Sequence, residues 1–322
     1  MRRRISPERY RAITVVALVA LAVIIVTGAA VRLTGSGLGC SDWPSCEEDQ
    51  FHADLEYHAL IEFVNRLITG IVSIAVIAAV LGSLARRPRR RDLTLWSLGL
   101  VAGVLGQIVL GGLVVIYHLT PWLVISHFLL SIVLIWNAVV LHHRSGIPDH
   151  LADGAHRPRD GHGPAQVRLV RLTSLLTLGA VVTGTIVTGS GPHGGDEDVE
   201  RLGFDVPDVA RIHGSTVVAL CLVAIGLAVV LRREGASAEQ ITRSNTVLAV
   251  IVAQAAIGYV QYFNDVPVLL VGFHVAGSVA LVTVVLRLHL AVAGFDPGDV
   301  DGPDPGDADG DTADTTPAPA LR

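Results

Sequence analysis

The sequence predicts an all-α, polytopic membrane protein, with eight transmembrane helices arranged as two pseudo-symmetric four-helix bundles. Three observations predict it: an apolar composition, eight long runs almost free of charge, and landmarks that recur in the same order in each half. Of the 322 residues, 51% are hydrophobic and only 16% charged, too apolar for a water-soluble chain of this length. Residues 12–31 carry no charge, and at a helical rise of about 1.5 Å per residue they match a hydrocarbon core of about 30 Å. Further apolar stretches fall at about 58–84, 93–116, 121–141, 167–189, 209–231, 243–263 and 266–293.

Arginines in short loops set the orientation. They cluster at the N-terminus (Arg2, Arg3, Arg4, Arg9, Arg11), in Arg86 to Arg91, within 144–171 and around Arg232, Arg233 and Arg243. These segments are expected on the cytoplasmic side, with both termini cytoplasmic and the chain in the plasma membrane. Segments 32–57, 117–120, 190–208 and 264–265 then face outward. The first apolar run is long enough to span and no small-residue cleavage motif follows it directly, so no cleavable secretion signal is expected.

Cys40 and Cys46 thereby sit in an oxidising compartment, where a disulfide persists. A disulfide is favoured over a metal site because no second pair of soft ligands stands nearby. Cys221, alone in an apolar run, reads as a small core residue. Residues 142–166, with His142, His143, His150, His156 and His162, form a linker that reads as a solvated connector rather than a metal site, because the spacing is irregular. From residue 294 to 322 the chain is acidic, rich in Gly and Pro, and expected to be disordered, having almost nothing to bury. The expected units are therefore a first bundle over 1–141 and a second over 167–293.

The halves repeat. Thr34-Gly35-Ser36 follows the first span and Thr188-Gly189-Ser190 the fifth; Gln107, Gly111 and His127 recur as Gln254, Gly258 and His274 with identical separations. Aligning the second and sixth spans pairs Asn65 with His213. Both repeats run from inside to outside, so they are parallel, related by an axis along the membrane normal. Four-helix bundles host cofactors between facing helices.

A histidine inside a span is costly without a partner and is a functional candidate by default, though one hydrogen-bonded to a neighbouring helix also satisfies that need. His213 is expected about four residues, and His274 about eight, inside the outer ends of their spans, so both imidazoles approach one surface. Two neutral imidazoles facing across a bundle, with Gly214, Gly272 and Gly277 leaving room for a flat ring, suit bis-histidine ligation of haem iron. Zinc is less favoured, since no Cys, Asp or Glu accompanies the pair within a span. In the first half His127 takes the level of His274, but its expected partner is Asn65, and an amide is a poor iron ligand. That half could hold a haem by one histidine, with the other face open or supplied by a group such as His58. Glu62, one turn before Asn65, could exchange a proton with a substrate; it could equally pair with Arg66 at i,i+4 spacing.

The run Gly37-Leu38-Gly39-Cys40-Ser41-Asp42-Trp43-Pro44-Ser45-Cys46, the segment Glu62 to Arg66, the run Gly191-Pro192-His193-Gly194-Gly195-Asp196 and the spaced histidines resemble the haem A synthase family over about residues 12–293. The resemblance implies oxidation of the C8 methyl of haem O to the formyl of haem A, a monooxygenase-type reaction supporting assembly of haem-copper terminal oxidases. It implies a haem b cofactor on His213 and His274, and a haem O substrate bound in the N-terminal bundle at His127, Asn65 and Arg66 with Glu62 catalytic. The family's Glu-x-x-His-Arg segment reads Glu62-x-x-Asn65-Arg66 here, so one substrate-site histidine is absent. Expected partners are haem O, an electron donor, haem O synthase and cytochrome oxidase assembly factors, with the lipid bilayer as solvent and no nucleic acid. The Cys40–Cys46 pair is expected to brace the loop over the substrate rather than pass reducing equivalents.

Two other classes compete. A dihaem b-type electron-transfer cytochrome without substrate oxidation would want symmetric bis-histidine sites, which the Asn65 and Glu62 asymmetry disfavours. A transporter would want broken helices at mid-membrane, and none is evident.

Overall fold

The computed structural model describes residues 4–40, 43–46, 55–154 and 163–294. Among them are eight long α-helices: α1 Pro7–Leu33, α2 Tyr57–Ala85, α3 Arg91–Ile116, α4 Pro121–Ser145, α5 Pro164–Ser190, α6 Val206–Arg233, α7 Ala238–Phe263 and α8 Val268–Ala293. All eight are long and apolar enough to cross a membrane, and the chain is a multi-pass membrane protein. Most helices outrun the apolar stretches that predicted them, because polar capping residues carry the helix beyond the hydrocarbon. Ser6 accepts from Arg9 N–H ahead of α1, and Ser237 with Gln240 forms a reciprocal capping box at α7, which satisfies first-turn donors that would otherwise lack partners. The acidic tail from 295 onward, and His156 and His162, lie outside the described residues.

Each half packs in the same way. α1 lies against α2 and α4, and α3 against α2 and α4; α5 lies against α6 and α8, and α7 against α6 and α8. The helices carrying Asn65 and His127 (α2, α4), and those carrying His213 and His274 (α6, α8), therefore stand diagonally across their bundles. The halves meet where α8 packs on α1 and α4, and α4 on α5. Burial follows: one core joins Leu21, Val76, Leu100 and Ile135 and extends to Val279 of α8, and a second joins Leu220, Leu227, Ile251 and Leu288. Outward faces are equally apolar. Ile74 is 69% exposed and Leu222 65%, surfaces that only lipid solvates without cost.

The two ends of the helices differ. At one end, the cysteine face, the turns α3–α4 and α7–α8 each use two consecutive left-handed residues, His118-Leu119 (φ 49° and 57°) and Asp265-Val266 (φ 56° and 54°). For Val266, a β-branched residue, that conformation is strained. The same face joins the halves: Gly37 N–H donates to Gly195 O at 2.9 Å, and a side chain on either glycine would meet Leu119.

At the opposite, arginine face, the connector after α4 is only partly what the sequence suggests. Asp149, in a 3-10 turn over Asp149–Gly154, pairs with Arg86 at 2.7 Å, and Arg86 is 1% exposed. Arg90 donates to Ile147 O at 2.8 Å. His142 lies within α4, its Nδ1 3.0 Å from Thr14 Oγ1. The start of the connector is thus clamped onto the bundle rather than solvated, because two near-buried guanidiniums need an acidic or carbonyl partner.

Candidate functional site

In the second half, α6 and α8 carry His213 and His274 into the bundle. His213 is the eighth residue of α6, which begins at Val206, three residues before the predicted apolar stretch; His274 is the seventh of α8. Their ring centroids stand 6.3 Å apart, with planes inclined by 77°. Two imidazoles sharing one metal, each nitrogen about 2 Å from it and each ring centre about 1 Å behind its nitrogen, would stand about 6 Å apart. Thr183 Oγ1 lies 3.1 Å from His213 Nδ1, the kind of hydrogen bond that fixes the orientation of a ligating imidazole. His274 Nδ1 is buried without a hydrogen bond, and its carbonyl accepts from Gln254 Nε2–H at 2.9 Å. The pair fits a tetrapyrrole iron.

The glycines against the rings are not the three expected to leave room for them. A side chain at Gly184 of α5 would come within 3.2 Å of His213 Cε1, and one at Gly258 of α7 within 3.2 Å of His274 Cε1. Gly272 instead faces Leu33 of α1, and Gly277 faces Gln254 of α7; only Gly214 opens onto free space. Gly272 and Gly277 serve helix packing, since a small residue lets two helices approach.

The first half repeats one side of this arrangement and not the other. His127 is the seventh residue of α4, as His274 is of α8. Its Nδ1 is likewise buried without a hydrogen bond, Gln107 Nε2–H donates to its carbonyl at 3.1 Å, and Gly111 leaves it room with a would-be Cβ at 3.3 Å. Opposite stands Asn65, whose Oδ1 accepts from Thr27 Oγ1–H at 2.8 Å. Thr27 stands to Asn65 as Thr183 does to His213, and Gly28 follows Thr27 as Gly184 follows Thr183, with nothing within 4 Å of a would-be Cβ. The orienting hydroxyl and the glycine are therefore kept in this half, and the facing imidazole alone is replaced by an amide. His58 is exposed at the start of α2, seven residues before Asn65, with its Nδ1 3.0 Å from Ser36 Oγ. This half fits a haem held from one side only.

Glu62 is 6% exposed and held by three donors. Arg66 Nε–H and Nη2–H reach Oε1 at 3.2 and 2.6 Å, and Cys40 N–H reaches Oε2 at 2.8 Å. Arg66 Nη1–H also donates to Ser45 O at 2.8 Å. The i,i+4 pair thus exists, and it clamps both ends of the loop that the Cys40–Cys46 disulfide closes. Gly39 lies so close to the His58 backbone that no side chain fits, and Trp43 of the same loop covers Gly112 of α3. The loop is braced on α2 and α3. Among the described residues no group of three or more His, Cys, Asp or Glu side chains could hold a bare metal ion.

A family model described as cytochrome oxidase assembly protein, COX15-CtaA, matches residues 11–193. The chain belongs to that family. The match takes in Glu62, Asn65, Arg66, His127 and the disulfide loop. Among curated family relatives, a protein named Heme A synthase from Lysinibacillus sphaericus is 29% identical over 120 residues, 37% of this chain and 39% of that relative. Another of the same name from Listeria welshimeri is 30% identical over 130 residues, 40% of this chain and 43% of the relative. A third, from Exiguobacterium sibiricum, is 26% identical over 120 residues, 37% and 40%. The aligned stretch spans about two fifths of the length of these relatives.

Sequence reasoning did not pick out Thr183, Gly184 or Thr27. The dipeptide Thr27-Gly28 begins seven residues before Thr34 and Thr183-Gly184 five before Thr188, and that difference in spacing hides a repeat which the hydrogen bonds reveal.

Proposed function

We propose that this protein is a haem A synthase, an oxidoreductase of the plasma membrane that converts the C8 methyl of haem O to a formyl group, supplying haem A to haem-copper terminal oxidases. The unequal histidine environments of the two halves carry this reading: a paired site suits a resident haem, and a one-sided site suits a substrate.

Residues 167–293 hold haem b through His213 and His274, with both termini of the chain on the cytoplasmic side. When bound, that haem supplies one-electron transfer. Residues 1–141 hold the substrate haem O through His127 on α4, and Asn65 leaves the facing side without a ligand. Conversion of methyl to formyl takes two hydroxylations, each needing O₂ and two electrons from an external donor, followed by loss of water. The residues of this half position the substrate and manage protons. Glu62 is the proton-handling group, fixed by Arg66 and Cys40 N–H, while Arg66 ties that carboxylate to the loop above. The disulfide loop covers the pocket mouth and excludes water from it.

The test is expression in a host that makes haem O, followed by pigment extraction and chromatography. A formyl haem that disappears with Glu62→Ala is the expected result. Haem b with no formyl product from the unaltered chain would overturn the reading in favour of an electron-transfer cytochrome.

A further inference from the structure

On the cysteine face, where the halves meet, a cavity of about 270 Å³ is lined by Arg32, Gly35, His193, Gly194 and Arg201 among others. Arg32 comes from the last turn of α1, and Arg201 from the loop between α5 and α6. Neither guanidinium forms an ion pair among the described residues. Arg32 donates only to Thr188 O, through Nη2 at 2.9 Å, and its Nε is buried with no hydrogen-bond partner. A buried donor left unmatched costs stability and calls for an explanation. Burial also pushes the Arg201 guanidinium below its ordinary value. Two acids share the cavity wall without relieving this. Asp196 accepts from Asp198 N–H at 3.3 Å, and Glu197 points to solvent.

The cavity adjoins the helix that bears His274. His193 Nε2–H donates to Val266 O at 2.9 Å, at the lead-in to α8, and a would-be Cβ at Gly272, two residues before His274, lies 3.6 Å from Leu33. The Arg201 guanidinium lies over Gly194, and a side chain there would displace it. Two desolvated guanidiniums in one cavity match a carboxylate or phosphate, which each can bind through paired N–H donors.

We propose that Arg32 and Arg201 form an anion pocket that receives the propionate carboxylates of the haem held between His213 and His274. This rests on the haem assignment above. The same chemistry would also accept the phosphate of an anionic lipid headgroup, and the experiment separates the two.

The full chain, purified from a haem-deficient host, is titrated with haem b and with its dimethyl ester, following the low-spin bis-histidine spectrum. In the unaltered chain the diacid should bind about tenfold more tightly than the diester, the effect of one or two charge-assisted hydrogen bonds. Arg201→Gln, in a loop, and Arg32→Gln should each shrink that preference while leaving the spectrum in place; Arg201→Lys should restore part of it. An equal preference in the unaltered chain and both Gln variants overturns the pocket assignment while leaving the haem site standing. If neither tetrapyrrole gives a spectrum with the unaltered chain, the haem assignment falls and the pocket with it. Bound phosphatidylglycerol, weighed by mass spectrometry, that is lost in the Gln variants while the diacid preference stays unchanged assigns the pocket to lipid and overturns the propionate.

Discussion

The two bundles share a packing scheme and differ at one corner. α4 and α8 present His127 and His274 at the same step of the helix, each with a glutamine amide on its carbonyl and a glycine beside its ring. Across the bundle the second half has His213 set by Thr183 and admitted by Gly184, whereas the first half has Asn65 tied to Thr27 with Gly28 beside it. The hydroxyl and the glycine are kept in both halves. The difference at this corner is therefore the single exchange of an imidazole for an amide.

Substitutions can break or sharpen that contrast. The largest effect is expected from His213→Ala or His274→Ala, each of which should abolish the low-spin b-type spectrum of the purified protein, while His127→Ala should leave that spectrum intact and remove the formyl product. An unchanged spectrum in either of the first two variants would contradict the cofactor assignment. Gly184→Val should drive methyl groups into His213 and lower haem occupancy about tenfold, a loss of about 1.4 kcal/mol read from the haem-to-protein ratio. Gly28→Val, at the matching place in the first half, should leave that ratio unchanged.

Cys40→Ser should release the braced loop. For so short a closed loop the expected cost is about 2 kcal/mol, visible as a lower unfolding midpoint in non-reducing buffer that reductant no longer alters. Smallest in its effect on stability is Asn65→His, because Thr27 can bond the imidazole as Thr183 bonds His213. Loaded with haem in both halves, this variant should add a second bis-histidine signal by electron paramagnetic resonance. Absence of that signal would show that the exchange at position 65 does not set the asymmetry.

Much of this was legible in the chain itself. Eight runs of spanning length, the Thr-Gly-Ser repeat and the constant separation of Gln107, Gly111 and His127 from their counterparts follow from solvation by lipid and from duplication of a local pattern. Such features are one-dimensional: hydropathy, period and spacing suffice to read them.

Partnership across helices was not legible. The pairing of His213 with His274 was expected, but its 6.3 Å separation, the glycines that face the rings and the hydroxyl that turns one of them depend on which faces of α5 to α8 meet. Gly272 and Gly277 adjoin His274 in sequence yet serve other interfaces. Glu62 shows the same division. Its spacing to Arg66 is readable on one helix, whereas its grip on Cys40 N–H joins residues that only the folded loop brings together. Sequence alone determined the number of spans and the duplicated histidine register, because burial in lipid acts on each helix separately. Only the tertiary structure decided how closely the two rings approach and which hydroxyls and glycines attend them, because that depends on side-chain volume and hydrogen bonding between helices far apart in the chain.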